Sequence, residues 1–248
     1  MAGRRRSAGA TVVCVQPVPE DWTRAVAVVA HPDDLEYGAA SAVSRWTSQG
    51  KQVSYVLVTS GEAGIDGMHP AAAGPLREEE ERRSAAVVGV DHVEFLGHPD
   101  GAVVADLRLR RDLAAAFRRL RPEVVVTMNF DLTWGDDAAV NHADHRATGV
   151  AVLDACRDAA NRWMFPDAGE PWSGTGFVLV AGAGEPSHFV DVASTLDAGI
   201  ASLREHRAYL EGLGGSFDPD AFLRDMAGFG GMVAGCDLAV TFRRFKVG

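Results

Sequence analysis

The sequence predicts a layered α/β domain built on a mostly parallel sheet. Three observations predict it. Short apolar runs alternate along the chain with amphipathic segments of about 12–15 residues, the pattern of βαβ units. The runs are continuously apolar rather than alternating, as in strands covered on both faces. No linker, low-complexity tract or internal repeat interrupts the 248 residues, a length that suits one large domain.

Each element has its own justification. Residues 25–30 (AVAVVA) read as a buried strand, and 36–49 as a helix that Gly50 ends. Residues 53–59 (VSYVLVT) are a second strand, followed by a Gly-rich loop at 60–74. A helix at 76–88 carries Glu78 to Glu81 near its start, where the helix dipole favours negative charge. A short strand at 93–96 precedes an amphipathic helix at 106–120, which Pro122 stops. Residues 123–128 (EVVVTM) are again a buried strand, and a polar loop at 129–140 leads to a helix at 143–163. Strands at 177–180 and 188–192, helices at 196–210 and 220–227 and a strand at 238–245 complete the chain. The Pro/Gly-rich stretch 166–176 is the least regular and reads as a mobile loop near the functional end of the sheet. Residues 1–20 read as a flexible lead. The apolar stretch there is too short for a signal-peptide core, so a cytoplasmic location is expected, with the domain at 21–248.

Composition excludes several function classes. A net charge of −10 argues against generic binding to nucleic acid or to an anionic membrane. No apolar run approaches the roughly 18 residues of a membrane span. Cys14, Cys156 and Cys236 are far apart, without a C-x-x-C pair, which argues against a disulfide framework or a thiolate metal site. The first strand does not lead into G-x-G-x-x-G, and Gly182-Ala183-Gly184 is too short to replace it, which disfavours a dinucleotide-binding oxidoreductase. The absence of G-x-S-x-G disfavours a serine hydrolase of the α/β type.

The first strand instead runs into His31-Pro32-Asp33-Asp34-Leu35-Glu36. Open α/β sheets bind ligands at the carboxyl ends of their strands. Pro32 biases His31 toward extended geometry, and Asp34 at the following helix start can turn back to the same point. One His and one carboxylate make half of a metal site. Asp33 and Glu36, three residues apart, also fit a capping box, in which these acids merely cap the helix. A second cluster, Asn141-His142-Ala143-Asp144-His145, follows the strand at 123–128. Its two histidines at i and i+3 can share one helix face, or can be solvent-exposed. Taken together, the clusters lie after separate parallel strands and can converge. His31, Asp34 and His145 supply the three protein ligands of a catalytic zinc with an open position.

These residues resemble the LmbE-like or PIG-L family of zinc-dependent de-N-acetylases. The signature A-H-P-D-D-x-E stands at Ala30 to Glu36, and H-x-D-H at His142 to His145, with Ala143 where the family often has Pro. Further likeness runs through Thr59 to Gly64, Arg77 to Glu80 and Gly97 to Gly101, with weaker features at His206-Arg207 and Val240 to Phe242. The resemblance implies a three-layer Rossmann-like α/β fold with helices on both faces. It implies that His31, Asp34 and His145 hold Zn2+ and that Asp33 is the general base. His142 would be the electrophile or general acid, Asp144 its orienting partner, and Arg77 and Asp100 sugar-binding residues. Fe2+ or another divalent ion suits the same ligands.

The implied reaction is hydrolysis of the N-acetyl or other N-acyl group of a small amino-sugar-like substrate. Zinc lowers the pKa of water toward about 7 and polarises the carbonyl. A neighbouring carboxylate at Asp144 would favour a charged His142. Glu62, in the Gly-rich loop, is a candidate pocket residue. Two rival functions use the same residues: an amidase of a sugar–thiol conjugate, and a non-catalytic carbohydrate-binding protein. Self-association into a homo-oligomer is left open. His69, His92, His98, His188 and His206 read as surface or satisfied structural histidines, and Trp134 and Trp163 as core or sugar-stacking residues.

Overall fold

The structure is a computed structural model that describes residues 15–134, 139–214 and 217–247. Its elements, in chain order, begin with β1 (Gln16–Pro17), β2 (Arg24–Val29), α1 (Asp34–Gly38), α2 (Ala40–Ser48) and β3 (Gln52–Leu57). Next come α3 (Pro70–Val87), β4 (His92–Phe95), α4 (Leu107–Leu120), β5 (Val124–Met128), β6 (Thr133–Trp134), β7 (Ala139–Val140) and α5 (Ala143–Ala160). The chain ends with β8 (Phe177–Ala181), β9 (His188–Asp191), α6 (Leu196–Leu203), α7 (Arg207–Gly212), α8 (Pro219–Ala234) and β10 (Ala239–Lys246).

Eight strands form one sheet in the order β1-β9-β10-β8-β5-β2-β3-β4, and β6 and β7 form a separate ribbon. β4, β3, β2, β5 and β8 are mutually parallel, and β10 runs against its neighbours β8 and β9. The continuous apolar runs follow from helices on both faces. In β2, Ala25, Ala27 and Val29 join a core with Trp46, Leu203 and Leu223. Val26 and Val28 join the opposite core with Leu113, Phe117 and Val152. The fold is thus the three-layer, mostly parallel α/β architecture that the sequence predicts. No helix among the described residues is long and apolar enough to cross a membrane.

Chain order reverses beside β2. The chain passes from β2 to β3 and β4 on one side, then returns to place β5 on the other. Loops diverge at such a switch point and leave a crevice at the strand ends. The loops after β2 and β5 carry His31 and His142 into this crevice.

Several boundaries differ from the sequence reading. The helix expected at 36–49 is divided at Ala39, which leaves the helical region (φ −138°, ψ −11°), so Asp34 and Glu36 occupy a helix of one turn. α3 starts at Pro70, earlier than the expected 76. Proline suits the first helical position, and the His69 imidazole accepts the Ala71 N–H. The helix expected at 196–210 is broken before His206. α8 continues past 227 because Gly230 and Gly231 lie against the start of β10. A Cβ on Gly230 would stand 2.1 Å from the Ala239 carbonyl oxygen.

The lead expected at 1–20 is also revised where it is described. Gln16–Pro17 pair with β9, and Val18 is buried, because this segment covers the sheet edge. Residues 1–14, including Cys14, lie outside the described residues. The stretch 166–176 is not beside the strand ends that carry His31 and His142. It lies at the opposite end of the sheet, where Gly176 N–H bonds Glu123 O at the start of β5. The Arg118 guanidinium holds it there by donating to the carbonyls of Phe165 and Gly169.

Candidate metal and catalytic site

The turn after β2 places its two acids by backbone geometry. Asp33 has φ 96°, a left-handed conformation that non-glycine residues seldom adopt. It is the N-cap residue of α1, yet its side chain makes no capping hydrogen bond. Glu36 turns inward and accepts from Ser84 Oγ at 2.8 Å. The capping-box explanation of these acids is therefore set aside. Asp34 Oδ2 accepts the N–H groups of Ala30 and His31, which folds its carboxylate back over the strand end.

His145, in the first turn of α5, meets this carboxylate. Its Nε2 lies 3.1 Å from Asp34 Oδ1 and 3.1 Å from His31 Nδ1. His31 Nδ1 lies 3.6 Å from the other carboxylate oxygen, Asp34 Oδ2, and one ligand atom from each residue falls within 4.8 Å of the others. Zinc with N and O ligands at about 2.0–2.1 Å in a tetrahedron separates its ligand atoms by roughly 3.3–3.4 Å. The donor set also fits. Asn141 Nδ2 donates to Asn129 O and Asp131 O, so its Oδ1 is left to accept from His145 Nδ1–H at 3.1 Å. His145 Nε2 then directs its lone pair toward the space between Asp34 Oδ1 and His31 Nδ1, as a metal ligand would. Asn141 belongs to the second motif, but the sequence reading gave it no role. Its position four residues before His145 on a helix start was the available signal.

The other side of the His31 ring faces two more carboxylates. Asp100 Oδ1 is 3.0 Å and Asp144 Oδ2 3.3 Å from Nε2. Both acids are already engaged by backbone. Asp144 accepts the N–H groups of Gly101 and Val103, and Asp100 accepts that of Ala63. They suit the outer carboxylate of a carboxylate–histidine–metal relay, which fixes the ring and leaves Nδ1 for the ion. Burial disfavours charge on His31, but Asp34, Asp100 and Asp144 outweigh it and push the imidazole up to about 12 in the metal-free protein. Against the cost of burial, His145 and His31 hold the Asp34 carboxyl below the usual range, and His31 with the N–H groups of Gly101 and Val103 does the same for Asp144. Asp144 was expected to orient His142. Its carboxylate instead faces His31, held there by the N–H groups of Gly101 and Val103 from the loop after β4. Asp144→Asn is expected to weaken metal binding by about ten- to a hundredfold, as loss of an outer partner does, without removing a ligand. Competition titration against a chelator checks this, and unchanged affinity would remove the residue from the relay.

His142 is exposed at the mouth. Its ring stacks on His145 at 4.8 Å and lies 6.2 Å from His31. Burial and the adjoining His145 and His31 lower its pKa, and Asp34 and Asp144 do not compensate. Asp144 does favour a charged His142, as expected, but burial and the two neighbouring histidines outweigh it. Trp134 stands edge-on to His145 at 5.6 Å and walls a cavity of about 380 Å3 shared with Tyr37, Met226, Phe229 and Val240. Trp163 is at the far end of the sheet and 82% exposed.

Arg77 is corrected as well. It was expected to bind sugar, but it is 2% exposed, and its guanidinium donates to Gly61 O, Pro32 O and Asp33 Oδ1. Gly61 and Gly64 permit this wrap, since a Cβ on either would come within 2.4 Å of Arg77 Nη1. Burial pushes the Asp33 carboxyl up to about 6, against the opposing pull of Arg77. Glu62 Oε1 accepts the Asp100 N–H, so Glu62 and Asp100 clamp the loops after β3 and β4 to each other. His98 pairs with Asp112, and His188 with Ser187.

A family model, the GlcNAc-PI de-N-acetylase or PIG-L domain, matches residues 26–156, more than half of the chain. The chain belongs to the PIG-L family. The match takes in both strand-end clusters. A diacetylchitobiose deacetylase of Thermococcus kodakarensis is 27% identical over 224 residues, 87% of this chain and 80% of the relative. A 1D-myo-inositol 2-acetamido-2-deoxy-alpha-D-glucopyranoside deacetylase of Saccharopolyspora erythraea is 31% identical over 171 residues, 58% of this chain and 60% of the relative. The structure of an N,N'-diacetylchitobiose deacetylase from Pyrococcus horikoshii superposes with a TM-score of 0.81 at 22% identity, covering 91% of this chain and 85% of that one, a likeness of fold. As a PIG-L-family deacetylase, the chain is a hydrolase of amides.

Proposed function

We propose that the chain is a divalent-metal-dependent N-deacetylase of a small amino-sugar substrate, with zinc as its metal. The observation that carries this reading is the convergence of His31 Nδ1, Asp34 Oδ1 and His145 Nε2 beside a buried acid, Asp33, and an exposed histidine, His142. The names of the relatives support N-acetylglucosamine derivatives as the substrate class.

His31, Asp34 and His145 would hold the metal, which when bound would supply a Lewis acid for the amide carbonyl and acidify water. Asp33 is suited to take the nucleophile's proton, because a base works best when its pKa lies near the working pH. Arg77 keeps that carboxylate in place through Oδ1. His142, with its lowered basicity, is suited to donate a neutral ring N–H to the carbonyl oxygen as negative charge develops there. Asp100 and Asp144 hold the His31 ring. The apolar wall beyond Trp134 suits the C–H face of a pyranose or an attached group.

Acetate release tests the reading. Protein of known metal content is incubated with N,N'-diacetylchitobiose, N-acetylglucosamine and N-acetylglucosaminyl inositol. At least one is expected to yield acetate, with loss on chelation and recovery when zinc is returned. Fully metal-loaded protein that releases acetate from none of them, nor from a wider panel of N-acetyl sugars, would overturn it.

A further inference from the structure

Behind Asp33 lies a second cluster of ionisable groups that the proposed reaction does not use. His206, just before α7, is 0% exposed. Its Nε2 lies 3.5 Å from Glu36 Oε2 and 3.6 Å from Glu81 Oε2. Glu36 and Glu81 are buried too, and no other charged side chain comes between them and the imidazole among the contacts of the described residues. Glu36 Oε1 is held by Ser84 Oγ and Ser202 Oγ, so α1, α3 and α6 all contribute. Glu36 Oε2, Glu81 Oε1 and both His206 nitrogens make no hydrogen bond among the described residues. Buried polar groups without partners are costly, and their collection at one place calls for a function.

The cluster is joined to the site by one bond. Glu81 Oε2 accepts the Asp33 N–H at 3.2 Å. That N–H belongs to the left-handed residue of the turn, and such strained residues persist only where their surroundings over-determine them. Arg77 grips the same turn from the same helix, α3, through Pro32 O and Asp33 Oδ1.

Resting on the reading of Asp33 as the base, we propose that His206 is a positioning residue that acts through Glu81 to hold Asp33 in its left-handed turn. Two buried carboxylates this close repel each other unless a positive charge lies between them. The imidazole sits at that point. Burial opposes a charge on it, but Glu36 and Glu81 prevail and raise it to about 9, while burial and Glu36 drive Glu81 well above the usual carboxylate range. A divalent cation would satisfy the same three side chains. The cluster, however, is sealed from solvent at every ligand, and a metal needs a path of entry.

Histidine 15N NMR of the metal-loaded protein tests the first half without any variant. His206 is expected to show both ring nitrogens protonated at pH 7.5, and a neutral ring would overturn the proposal. The Asp33 amide tests the second half. Its proton resonance is expected to move upfield in Glu81→Leu and in His206→Gln, and to stay in place in Glu81→Gln, which keeps an acceptor. An unmoved Asp33 amide in His206→Gln would overturn the proposal, as would a second metal per chain that this variant loses. On any substrate found by acetate release, His206→Gln is expected to lower kcat by about tenfold or more, with KM within about twofold and one metal per chain retained. If no substrate is found while the resonances behave as expected, the deacetylase reading fails and the positioning of Asp33 stands.

Discussion

Asp33→Asn is expected to retain one metal per chain and to lose turnover by about a hundred- to ten-thousandfold, the usual contribution of a positioned general base. The variant is nearly isosteric. Its side-chain oxygen can still accept from Arg77 Nη2, and its N–H can still donate to Glu81, so the left-handed turn keeps both of its anchors. What it loses is a proton acceptor whose pKa burial has raised to about 6. A large effect on kcat with intact metal content, measured by mass spectrometry of the purified variant, separates the base from the ligands. Activity near that of the parent protein would remove Asp33 from the reaction.

His145→Ala is expected to act earlier, on the metal itself. It removes the nitrogen that lies 3.1 Å from both His31 Nδ1 and Asp34 Oδ1. Loss of a ligand should cost more affinity than the roughly ten- to a hundredfold of an outer partner. Acetate release should vanish at stoichiometric metal. The stabilisation that zinc gives, read as the difference in Tm with and without chelator, should shrink with it, since a ligand stabilises only what it binds. Full zinc occupancy in the variant would remove His145 from the ligand set. The pH dependence of binding has a definite sign. The metal-free protein holds a proton on His31 up to about pH 12, and a metal must displace that proton. Affinity in the parent protein therefore rises with pH across the neutral range.

Much of this site was legible in the sequence because its parts are local. Asp34 is three residues from His31, and both hang on the end of an apolar strand whose role is evident from composition. His142 and His145 are one helical turn apart at the start of a helix that follows another such strand. The two clusters come together because β2 and β5 are neighbours at the reversal of strand order. Residue identity was less informative about partners. Arg77 looks like a substrate clamp in sequence and is a buried brace for Asp33 in the fold. Asp144, two residues from His142, turns to His31 on another loop. His206 reads as an ordinary structural histidine, and 125 residues separate it from Glu81, the group that gives it meaning.

The sequence alone determined the layered α/β class, the order of its principal strands and helices, and the residue types gathered at the strand ends. These follow from periodicity and from neighbours a few residues apart, which the local backbone constrains. Only the tertiary structure decided which side of the His31 ring faces the ligand set, which acids brace it from behind, and which buried groups hold the strained turn at Asp33. Those outcomes depend on packing between loops and helices far apart in the chain. There, the cost of leaving a buried charge without a partner selects one arrangement among many that the same residues could have made.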